Sequence, residues 1–110
     1  ISSQTKILDT ENNLVPLNYE LFKNDALIFK TLESKSLTIL YNSKPYVKVD
    51  YQDFPSLGIW TKENAPFICI EPWLGYSDTD ENTGDLYQKE GILTLNENKD
   101  FSAKFSITIL

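Results

Sequence analysis

The stretch that decides the fold is the last one, Phe101-Ser102-Ala103-Lys104-Phe105-Ser106-Ile107-Thr108-Ile109-Leu110. Phe101, Ala103, Phe105, Ile107 and Ile109 alternate with Ser102, Lys104, Ser106 and Thr108. A period of two sends alternate side chains to opposite faces, so the pattern predicts a half-buried strand running to the last residue. Working back from there, similar short runs occupy 92–95, 67–71, 57–61, 46–51, 36–40, 26–30, 14–17 and 5–8. Polar turn signals separate them at 96–100, 62–66, 42–45, 33–35 and 9–13. A helical turn is predicted at 18–23, with Asn18 as its cap. About nine short strands at close spacing describe an all-β chain, an antiparallel sandwich or part of one.

The chain has 110 residues, of which 41% are hydrophobic and 24% charged, the makeup of one globular domain or less. Ten basic against sixteen acidic residues give a net charge of -6, and every basic residue is a lysine. Without arginine or a basic stripe, nucleic acid and anionic membrane surfaces are not expected partners. No apolar run approaches the length of a membrane span. Cys69 is the one cysteine, which points to a reducing, cytoplasmic setting. The sequence opens at Ile1 and holds no Met, so residues 1–110 are expected to be a single partial domain of a longer chain. It also holds no His, the side chain best suited to acid–base work near neutral pH.

Glu71 is the carboxylate of greatest interest. It follows the apolar run Phe67-Ile68-Cys69-Ile70 and precedes Pro72-Trp73. Alternation places it on the face of Phe67 and Cys69, where partial desolvation would suit it to act as a base; the plain alternative is a solvated strand-end residue. Asp25 stands before Ala26-Leu27-Ile28-Phe29 in the same way, although Asn24-Asp25 also reads as turn chemistry. Trp60, Phe67, Trp73 and Tyr76 surround Glu71 in sequence. Such rings either fill a core or offer flat faces to sugar C–H surfaces, and Trp73, beside Pro72 and a loop, is the least core-like. Cys69 reads as a small buried hydrophobe without an activating partner. The acidic stretch 78–84 lacks an EF-hand pattern, because Thr83 and Lys89 stand where glycine and the bidentate glutamate belong.

The run Ala65-Pro66-Phe67-Ile68-Cys69-Ile70-Glu71-Pro72-Trp73-Leu74-Gly75 resembles part of the aldose 1-epimerase (hexose mutarotase) family. Further segments agree in order: Asn24 to Phe29, Phe54-Pro55-Ser56-Leu57-Gly58-Ile59-Trp60-Thr61, Gly84-Asp85-Leu86, Lys89-Glu90-Gly91-Ile92 and the closing strand. The resemblance implies the C-terminal portion of a galactose mutarotase-like β-supersandwich, with the N-terminal remainder of the same protein as its partner. It implies that Glu71 is the general base on the anomeric hydroxyl of a hexose. Asp25 and, with it, the Trp73 wall would bind the sugar. The family's histidines lie in the N-terminal portion, so the general acid is expected outside these residues. Both proton transfers are within reach of side chains, so neither metal nor cofactor is called for.

Two other readings compete with sugar mutarotation. One is a non-catalytic carbohydrate-binding sandwich, which uses the aromatics and Asp25 without a base. The other is a structural β-module whose acidic loop, 77–85, binds a partner or an ion. The absence of arginine removes a bidentate phosphate clamp from this portion and favours a free hexose over a hexose 6-phosphate.

Overall fold

The computed structural model describes Thr5 and residues 12–110, so the run expected at 5–8 lies outside the described residues except for Thr5. Six strands are present among them: β1 (Leu27–Phe29), β2 (Ser36–Tyr41), β3 (Lys44–Asp50), β4 (Ser56–Trp60), β5 (Cys69–Trp73) and β6 (Ser106–Ile109). They form two antiparallel three-stranded sheets in the orders β1-β4-β5 and β2-β3-β6. The chain is all-β, and among the described residues helical structure is restricted to two 3-10 turns, Tyr19–Phe22 and Leu86–Gln88. The first of these begins where expected: the Asn18 side chain accepts from the Leu21 N–H at 3.1 Å.

Local chemistry explains the pairing. Asn42 and Ser43 both take positive φ, 51° and 64°, which closes the two-residue hairpin between β2 and β3. Inward residues of both sheets meet in a core of Val49, Tyr51 and Leu57. Phe29, Ile59 and Ile70 pack on it from the first sheet, Leu37 and Val47 from the second. Tyr51 is 2% exposed, and its hydroxyl is 3.0 Å from Ser34 Oγ, so its polar end is not stranded in the core.

Four expectations need correction. The run at 14–17 holds an isolated bridge at Leu14, and 92–95 forms no strand. Leu93 and Leu95 are 56% and 59% exposed; alternation without a partner strand does not make a ladder. The strand around Glu71 is shifted toward the C-terminus and includes Pro72, which pairs with Leu57. Proline is tolerated there because β5 is an edge strand, where the missing N–H leaves no ladder bond unmade. Finally, the closing strand is shorter than its pattern and is not half-buried. Ile107 and Ile109 pair with Val49 and Val47 on the inward face, yet are 60% and 77% exposed because the first sheet does not extend over β6.

Candidate active site

The register of the first sheet places the candidate residues. Ile28, Gly58 and Glu71 stand in one cross-strand row. Directly opposed residues in antiparallel strands share a face, and so do residues two apart. Glu71 therefore shares its face with Cys69 and Trp73 on β5, and with Ser56 and Trp60 on β4. Leu57, Ile59 and Ile70 point the other way, into the core. Glu71 lies on the outward face of the sheet, third of five residues in β5 rather than at its end, and is exposed.

Trp60 and Trp73 share the outward face with Glu71. The Trp73 indole Nε1–H donates to Glu71 Oε2 at 3.2 Å. The Trp60 ring sits 5.9 Å from that of Phe67, tilted by 54°, and the Thr61 hydroxyl donates to the Phe67 carbonyl. That bond pins the segment leading into β5. Cys69 is on the same outward face as Glu71, as alternation predicts, but is partly rather than fully buried, because the inward positions go to its neighbours. It is a free thiol.

Asp25 falls at the opposite end of the sheet from Trp73, with the Glu71 row between them. Its φ is 89°, uncommon for a side chain other than glycine, and its Oδ1 accepts from the Ala26 N–H at 2.8 Å. Turn chemistry therefore accounts for one of its oxygens. The positive φ turns the chain into β1.

A second group of charges was not singled out by the sequence. Lys30 Nζ reaches both oxygens of Glu90 at 3.2 Å and lies 5.5 Å from the Tyr76 ring centre. Tyr76 also hydrogen-bonds Glu90, and with Lys30 it holds the Glu90 carboxyl below its ordinary range. Partial desolvation, then the hydrogen bond to Glu90 and the Glu90 charge, push the Tyr76 hydroxyl up. The trio ties residues 89–93 to the sheet beside a cleft of about 340 Å³ lined by Leu74, Tyr76, Glu90 and Ile92, among others. Gly91, at φ 80°, sits where a Cβ would meet the Tyr76 ring at 3.2 Å. In the acidic loop, Asp78 pairs with Lys89 at 3.2 Å and Asp85 caps Leu86–Gln88. Among the described residues no three metal-ligating side chains converge, and no helix is long and apolar enough to cross a membrane.

Comparison with known proteins adds one relationship. The chain is similar to LacX of Lactococcus lactis. It is 33% identical to both the chromosomal and the plasmid LacX protein, across its whole length. It spans 37% of the length of each, so nearly two-thirds of those relatives has no counterpart in these residues. No protein-family model matches the chain, and no solved structure does.

The residues that sequence reasoning missed were Gly58, Lys30 and Glu90. Gly58 carried a readable signal, an isolated glycine inside a strand pattern, which often marks a close approach by another group. Lys30 and Glu90 are 60 positions apart, and nothing local in the sequence joins them.

Proposed function

We propose that these residues form the C-terminal part of an aldose 1-epimerase that interconverts the α and β anomers of a free hexose. The observation that carries this reading is Glu71, an exposed carboxylate on the outward sheet face, flanked along that face by Trp60 and Trp73. A hexose has the matching chemistry: C–H faces for the indoles and hydroxyls for the carboxylate. The resemblance of the segment 65–75 to hexose mutarotases and the similarity of the whole chain to 37% of the length of LacX both support it.

In the proposed reaction Glu71 removes the proton of the C1 hydroxyl while an acid protonates the ring oxygen. The C1–O5 bond breaks, giving the open aldehyde. Rotation about C1–C2 presents the other carbonyl face, and the reverse proton transfers close the ring. Asp25 contributes to holding the sugar hydroxyls, and the acid comes from the part of the protein that the LacX relatives share beyond these residues. Each positioned group can contribute about 10²–10⁴-fold. The β6 face left open, with Ile107 and Ile109 exposed, is where that remainder packs in this account.

Polarimetry on freshly dissolved α-glucose and α-galactose tests the proposal, with a polypeptide of LacX length that contains these residues. Acceleration over buffer is expected. Tight hexose binding with no acceleration would replace the enzyme by a carbohydrate-binding module.

A further inference from the structure

The outward face of the first sheet holds a feature that the base role of Glu71 does not itself require. Gly58 lies directly opposite Glu71 on β4 and is buried although it faces outward. Its cover is the Trp73 indole. A Cβ built on Gly58 would stand 2.6 Å from Trp73 Cζ2 and 3.0 Å from Cε2 and Cη2. The indole thus occupies the space of the absent side chain, lying across the neighbouring strand. In that pose its Nε1–H reaches back to Glu71 Oε2 at 3.2 Å.

We infer that Gly58 and Trp73 are positioning residues for Glu71: the missing side chain lets the indole lie across β4, and the indole N–H fixes one carboxylate oxygen. Resting on the proposed epimerase reading, this assigns the two carboxylate oxygens different tasks. Oε2 is the anchored oxygen; Oε1, which has no partner among the described residues, is the one turned toward the anomeric hydroxyl. An exposed glutamate on a strand otherwise samples several rotamers, so one donor on one oxygen restricts where the other can point.

The geometry gives the size of the effect. Restoring ordinary contact from 2.6 Å requires the indole to move by roughly 1 Å, and misplacement of that order can cost about 10²-fold. Gly58→Ala in the longer polypeptide is expected to lower kcat by roughly 10- to 100-fold, with a smaller change in KM. Trp73→Phe removes the N–H and shortens the ring, so Gly58→Ala should add little on top of it. Full additivity of the two substitutions would overturn the inference.

A second readout is independent of activity. In an NMR spectrum of the longer polypeptide, the Trp73 indole N–H resonance is expected to move in Glu71→Gln, where its acceptor changes from a charged carboxylate to a neutral amide. An indole resonance indifferent to Glu71→Gln overturns the positioning role, even if that variant is inactive. Full activity in Glu71→Gln with the indole resonance moved instead removes Glu71 as the base and leaves the contact as structure.

Discussion

Replacing Ile107 with Ala asks whether β6 is covered in the complete protein. Within the described residues Ile107 is 60% exposed, although its cross-strand partner Val49 is 4% exposed on the same inward face. Truncating a side chain that open changes stability by no more than about 0.5 kcal/mol. If the remaining length seen in the LacX relatives packs over β6, the same truncation empties a buried site and costs about 2–5 kcal/mol. Leu57→Ala sets the scale, because Leu57 is 2% exposed between the two sheets and its loss falls in that upper range in either setting. Urea unfolding of the longer polypeptide measures both. At a slope of about 3 kcal/mol/M, a loss of that size moves the midpoint by on the order of 1 M. Ile107→Ala and Leu57→Ala are expected to shift the midpoint comparably. A normal midpoint for Ile107→Ala beside a large shift for Leu57→Ala would refute the idea that the remainder covers this face.

The 110-residue chain alone is expected not to accelerate mutarotation, because it offers Glu71 as a base and no His as the acid; polarimetry of the purified chain checks this, and acceleration would move the acid to within these residues. Glu90 has its carboxyl lowered by Tyr76 and Lys30, so its contribution is present above its unfolded pKa and is lost as pH falls through the lower folded value. Thermal midpoints measured through the acid range should therefore fall less steeply in Glu90→Gln. Tyr76 behaves oppositely: its hydroxyl is raised, so its contribution holds below the unfolded pKa and fades as pH rises through the folded one, and Tyr76→Phe should flatten the alkaline decline. Cys69 shares the outward face with Glu71 and is partly open, so a bulky thiol reagent there should block hexose binding and excess hexose should slow the labelling. Labelling at an unchanged rate in saturating sugar would place the ligand elsewhere.

What could be read from the sequence follows from which forces are local. Alternation located the six strands to within a few residues, and Asn18 marked the first 3-10 turn, because strand faces and caps are set by neighbours in the chain. Alternation at 92–95 misled, since a strand exists only when another backbone pairs with it. Pro72 read as the end of a strand; that it stands inside β5 depends on β5 lying at a sheet edge, a tertiary fact. Parity alone put Cys69 and Glu71 on one face; Trp73 joins them because β5 runs on through Pro72. Parity could not show that Gly58 comes opposite Glu71, since cross-strand register joins residues 13 positions apart. The Lys30–Glu90 pair was hidden for the same reason.

Glu71→Gln in a polypeptide of LacX length decides whether Glu71 is the base. Glutamine keeps the size and one acceptor oxygen for the Trp73 N–H while removing the basic carboxylate. Polarimetric rates on α-glucose and α-galactose would be measured beside hexose affinity. A rate loss of about 10²–10⁴-fold with hexose binding retained is expected. Equal rates in the variant and the parent would contradict it.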